Sequence, residues 1–238
     1  MAAAEWLERC RLELNRMANG VFETPELGRY FARPLTRPRE QVRSAMMRYY
    51  FVPNRRDCWA YVQAVAPIDV KQAIWHHEED ELIFDERIGR AHVTDSQSDG
   101  DLPAPLPAVR VACYGWLYIA MKRPWLEGLA SSHILERIND PTVIQGDPLV
   151  QRHMKQKMAD LGIKLEQLDA GSRVHLEADE EHSGLIWAVF EKHVKDEATC
   201  RQVVNGAKES LECFRVYAGG VGEAMAKAFK VTEEVRVD

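Results

Sequence analysis

The chain has 238 residues, enough for one sizeable domain or two small ones, and its composition is 46% hydrophobic and 29% charged, ordinary for a globular protein. A net charge of −6 and the lack of a Lys/Arg run argue against nucleic-acid binding. No apolar stretch of about 18 residues is present to span a membrane, and the acidic start Met1–Arg9 is unlike a signal peptide. A cytoplasmic protein is expected. Five cysteines (Cys10, Cys58, Cys113, Cys200, Cys213) form no C-x2-C pair, so they read as free thiols, and any metal must use His and carboxylate ligands.

Helical periodicity dominates. Trp6, Cys10, Leu14 and Met17 predict a helix over roughly residues 4–19. Thr24-Pro25-Glu26 opens a short helix through Phe31, and Arg37-Pro38 opens another toward Tyr50. Pro53-Asn54 predicts a bend or break before residues 56–65. Pro67-Ile68-Asp69 caps a long helix, roughly 69–90. Residues 94–107 are polar and then proline-rich, a loop insertion between helices. Further helices are expected over 108–121, from Pro124 to Ile138, over 148–160, over 171–194 and over 196–217. Gly219-Gly220-Val221-Gly222 is expected to close the last, leaving a frayed tail at about 230–238. The expected fold is all-α, seven or eight helices packed around one core as a single domain.

The segment 174–182 carries His175-x3-Asp179-x2-His182. On a helix, positions 0, 4 and 7 fall within a roughly 60° arc, so these side chains form one row about 10 Å long. Two imidazoles and a carboxylate suit iron, manganese or zinc, and the row can serve two ions. The bland alternative is a solvated polar face, which Glu177, Glu180 and Glu181 favour. The apolar run Gly184–Phe190 that follows marks a buried helix, and charges leading into one need partners.

A dinuclear site in a bundle draws carboxylates from facing helices. In His76–Glu86, Glu78, Glu81 and Asp85 share a face, with His77 and Glu81 a competing one; a solvated acidic surface is the alternative. In Trp125–Ile138, Glu136 sits near a helix C-terminus, where the dipole disfavours a carboxylate and a cation would offset it. Its bland reading is a surface Glu paired with Arg137 or Arg123. Glu127 and His133 are rival ligands on the same helix.

Leu129–Glu136 resembles a helix of the haem-oxygenase-like superfamily that includes thiaminase II and pyrroloquinoline-quinone synthase. The His175/Asp179/His182 row resembles the third core helix of its metal-binding branch, the haem-oxygenase-like diiron oxidases. The resemblance implies that Glu136 is the second-helix ligand, that His175, Asp179 and His182 are the third-helix ligands, and that Glu78 is the first-helix Glu. The family's first-helix His is missing. Glu81, Asp85, His77 or His92 could take its place, and the choice stays open.

On this resemblance the chain is expected to be a non-haem diiron oxygenase or oxidase. Two Fe(II) per chain and O2 would act on a small amino-acid or amine substrate, by N-oxygenation or oxidative C–C cleavage in natural-product biosynthesis. The expected partners are that substrate and at most a second copy as a homodimer, with no nucleic acid and no membrane. Trp75, Tyr114, Trp116, Tyr118 and Trp187 are candidates to line an apolar pocket, with ordinary core packing an equal alternative for most of them. The alternatives are a metal-free thiaminase-like or quinone-synthase-like enzyme, with Cys113 or Cys213 as nucleophile, and a helical binding protein without catalysis.

Overall fold

The structure, a computed structural model, describes residues 2–84, 86, 104–168 and 183–234, with side chains through 228. Among these residues the regular structure is helical throughout. The first helix, α1 (Ala3–Gly20), buries Cys10, Leu14 and Ala18 at four-residue spacing. A 3-10 turn leads into α2 (Pro25–Phe31), where Pro25 occupies the first turn, a position that needs no N–H. The next helix, α3 (Arg37–Met46), points Arg39, Arg43 and Met46 inward.

The break expected at Pro53 does not occur. A π-helical turn, Met47–Phe51, joins α3 directly to α4 (Val52–Val65), with the Val52 N–H reaching back to Met47 O. Wider i→i−5 bonding lets the helix absorb a proline that lacks its own N–H.

Four of the predicted helices have close counterparts: α5 (Ile68–Leu82), α6 (Pro107–Lys122), α7 (Trp125–Arg137) and α8 (Leu149–Leu161), the last stopped by Gly162 at φ 64°. The α5 helix ends about eight residues before the expected 90, with the amides of Ile83 and Phe84 both turned back to Glu79 O. The α9 helix covers 183–193. The residues expected to extend it backward to 171, and most of the predicted insertion, lie outside the described residues.

The expected stop at Gly219–Gly222 is also overturned: α10 (Glu197–Glu234) runs through it. Asp196 caps it, its carboxylate accepting the Thr199 N–H at 2.9 Å. The glycines are there for close approach. A Cβ on Gly220 would lie 2.3 Å from the Ala108 Cβ, and one on Gly206 would lie 2.1 Å from Glu127 O. A helix terminator needs a left-handed φ, and none of these glycines adopts one. The expected fray at 230 is helical through Glu234.

One hydrophobic cluster runs from Cys10 to Met225. The α10 helix is its spine, in contact with α7, α6, α2, α3 and α1. The α7 helix lies at the centre, buried along its length from Leu126 to Arg137. No helix among the described residues is long and apolar enough to cross a membrane.

Candidate functional site

The inward stripe of α5 changes character along its length. Val70 and Ile74 are apolar, and one and two turns on the same stripe carries His77 and Glu81, both buried. Opposite them, α4 presents Arg55 and Arg56 beside Trp59, and α7 presents Ser132, His133 and Glu136. Burying this many polar groups in a bundle is costly unless each is compensated.

The compensation is specific. Arg56 Nη1 lies 2.9 Å from Glu78 Oε1 and 3.2 Å from Glu81 Oε2. His77 Nδ1 is 2.9 Å from the same Glu78 oxygen, and its Nε2 is 3.9 Å from Glu136 Oε1. The His77 ring packs on Trp59 at 4.7 Å. Arg55 donates to Ser132 O at 2.8 Å and to Ser132 Oγ at 3.3 Å, and lies 3.7 Å from Glu136. Three predicted ligands, Glu78, Glu81 and Glu136, thus come together from two helices around His77 and two arginines. The cation expected near the α7 C-terminus is Arg55, not Arg137 or Arg123. Arg137 is bound to Asn15 at 2.9 Å, and Arg123 to Glu209 at 2.7 Å.

Burial pushes Arg55 below its ordinary basicity. Burial acts the same way on Arg56, but Glu81, Glu78 and Glu136 outweigh it and hold that guanidinium above its usual value. His133 stands beside this group, its ring 5.1 Å from Phe190. Burial first, then the charges of Arg137 and His77, depress it far below the usual imidazole range, so it is neutral at pH 7. Of the two rival ligands, His133 borders the cluster. Glu127 does not: it faces Arg123 at 3.9 Å, near the α10 seam.

The remaining predicted ligands, Asp85, His175, Asp179 and His182, lie outside the described residues, as does His92. The direction of α9 bears on them. His193 Nε2 is 2.9 Å from Asp69 at the start of α5 and its ring is 5.1 Å from Trp125 at the start of α7. Further back along α9, Phe190 meets His133, and Trp187 lies 5.2 Å under Arg137. The α9 helix is therefore antiparallel to both α5 and α7. Its N-terminal end, which directly follows His182 in sequence, lies toward the helix ends that carry Glu81 and Glu136.

The donors of the described cluster are carboxylate oxygens and imidazole nitrogens, the kind iron accepts. Among the described residues, no three His, Cys, Asp or Glu side chains are by themselves arranged to hold an ion. Arg56 occupies the place between Glu78 and Glu81. The pair of arginines was missed in the sequence. The available signal was Arg55 and Arg56 four and three residues before Trp59 on a helix that also buries Cys58 and Val62.

The aromatic lining is largely refuted. Trp75, Tyr114 and Tyr118 are 61%, 64% and 55% exposed. Trp116 is core, its Nε1–H donating to Ser210 Oγ at 3.0 Å. Trp187 packs against the core and covers Arg137.

No family model and no curated protein matches this sequence. Among solved structures the chain is similar to a CADD-like protein of unknown function from Nostoc punctiforme. The match has a TM-score of 0.67 at 13% identity and covers 92% of this chain and 98% of that one. At that identity the likeness shows the fold alone: the chain is an all-α bundle of the CADD-like kind.

Proposed function

We propose that this chain is a non-haem diiron oxygenase or oxidase that uses O2 to oxidise a small amino-acid or amine substrate. The outcome is N-oxygenation or oxidative C–C cleavage, of the kind used in natural-product biosynthesis. One observation carries the reading. Glu78, Glu81 and Glu136 converge with His77 in a buried layer, at the end of the bundle toward which α9 opens from the His-x3-Asp-x2-His segment.

Glu136 and Glu78 or Glu81 would hold metal together with His175, Asp179 and His182; Asp85 is a further candidate. Two Fe(II) bound there would supply reducing electrons for O2 chemistry. The chain's own residues do the rest. Trp59, Ile74 and Ile134, all fully buried, restrict water around this layer and strengthen its charge interactions. Arg55, held by the Ser132 carbonyl, fixes Glu136. Arg56 and His77 fix Glu78 from two sides, the support that carboxylate ligands need to keep their aim. Because both arginines are engaged with glutamates, a carboxylate clamp for substrate belongs elsewhere.

Anaerobic Fe(II) titration followed by O2 exposure tests the reading. Two irons per chain and a transient visible band are expected, with iron binding lost in His175→Ala and weakened in Glu136→Gln. Absence of iron binding, or a His175→Ala variant that behaves like the parent, ends it. The thiol route of a metal-free relative has less in its favour. Burial raises Cys113 and Cys213 to about 11 each, the reverse of an activated nucleophile.

A further inference from the structure

A second buried polar group lies between α2, α3, α8 and α10, apart from the glutamate layer. Its members are Tyr30, Arg43, His153 and Tyr217, each more than nine-tenths buried. The Tyr30 and His153 rings are 5.4 Å apart, with Phe31 5.2 Å from the same imidazole. Tyr30 backs onto α10 at Gly222, where an added Cβ would lie 3.3 Å from its backbone. Tyr217 projects from the same helix, its ring 5.2 Å from Phe51. Arg43 is the common neighbour: its charge acts on Tyr30, His153 and Tyr217 alike.

Three polar atoms here, Tyr30 Oη, Tyr217 Oη and His153 Nε2, have no hydrogen-bond partner among the described residues. A buried hydroxyl without a partner costs about 1–3 kcal/mol, and phenylalanine would avoid it. Phe31, Phe51 and Phe214 in the same layer show that phenylalanine fits there. The charge balance is also uneven. Arg43 binds Glu40 at 2.9 Å and Gln156 at 2.8 Å, and Lys157 binds the other Glu40 oxygen at 2.8 Å. Two cations thus share one carboxylate, a surplus of one positive charge. At its border Arg39 donates to Met225 O, and Asp160 accepts the Leu35 N–H.

Two phenol O–H donors, a neutral imidazole and one surplus guanidinium charge are the complement of a monoanion with two oxygens. We infer that Tyr30, Tyr217, His153 and Arg43 form a buried binding site for a small carboxylate. The site is independent of the metal reading and stands or falls separately from it. The two hydroxyls and Arg43 would share the carboxylate oxygens, and Glu40 with Gln156 would hold the guanidinium in place.

Calorimetric titration of the full chain at constant ionic strength tests this, with formate, acetate, acetamide and phosphate as probes. Saturable one-to-one binding of formate or acetate is expected, with none of acetamide and weaker binding of phosphate. Tyr30→Phe and Tyr217→Phe should each weaken carboxylate binding at least about tenfold. Failure of both carboxylates to bind overturns the inference. So does binding unchanged in both variants, or phosphate binding tighter than acetate. In the parent chain alone, saturating formate should give a magnetisation-transfer contact to the ring protons of Tyr30 or Tyr217. Absence of that contact is an equally decisive negative.

Discussion

The two faces of α7 solve opposite problems. Toward α10 the seam is tight and its central hydrogen bonds are between neutral groups: Gly206 rests on the Glu127 carbonyl, and Ser210 donates to Ser131 O at 2.7 Å while receiving the Trp116 indole N–H. Toward α4 and α5 the layer is crowded with charge, with Glu136, His133 and Ser132 facing Arg55, Arg56 and His77. The first face fixes the helix by shape, where a methyl group matters. The second is fixed by charge balance, where removing one partner exposes the others. A helix clamped by backbone contact on one side can hold a carboxylate still on the other, which a metal or substrate site requires.

Substitutions can break either half of this contrast. Arg56→Met should have the largest effect, because it takes from Glu78 and Glu81 a cation that both use. A loss of about 3–5 kcal/mol is expected by urea unfolding, shrinking in acid as the glutamates protonate. Gly206→Ala should cost about 3 kcal/mol, since its new methyl meets backbone that cannot move aside. Gly219→Ala, in the same helix, is the control. Its Cβ would meet only the flexible Glu26 side chain at 3.3 Å, so it should stay within about 1 kcal/mol of the parent.

Acid should act through histidine. Burial, then Arg43 and Lys157, depress His153 far below its ordinary value of 6.5. Below about pH 6.5 the unfolded chain takes a proton that the folded chain refuses, so stability falls as pH falls. The slope from this group is about 1.4 kcal/mol per pH unit. His153→Gln should flatten the stability profile between about pH 6.5 and 5 by that amount; an unchanged profile would show that the imidazole takes up its proton alike in the folded and unfolded chain. Ser210→Ala should cost about 1–2 kcal/mol, the price of leaving the Trp116 N–H and Ser131 carbonyl less well bonded. Smallest of all, Arg11→Ala on the exposed face of α1 should change stability by less than about 0.5 kcal/mol, despite its 2.6 Å pairing with Glu8.

The fold was legible where periodicity and punctuation agreed. Cys10 and Leu14 mark the buried face of α1, and the prolines at 25 and 38 stand in first turns. It was misread where a residue had two uses. Pro53 and the glycines at 219–222 look like punctuation, yet a π turn absorbs the first, and close helix contact explains the others. Spacing also brought Glu78 and Glu81 to notice, on one face of an unusually acidic helix, and Glu136, set between Leu135 and Ile138. It did not show that Arg55 and Arg56 meet them. Ion pairing across 22 to 81 residues leaves no local trace, and an arginine on a helix reads as solvent-facing by default.

The length of α10 has a consequence for how the chain is made. Its 38 residues extend about 57 Å and supply the surface on which α1, α2 and α3 settle. On the ribosome those three helices emerge ahead of α10 and wait for a partner that is translated more than 150 residues later. Until then Leu14, Leu27, Tyr30 and Met46 lack the wall that buries them in the finished molecule. The nascent chain therefore presents a long interval of exposed apolar surface that a holding chaperone would recognise, and the bundle closes late, around its last helix.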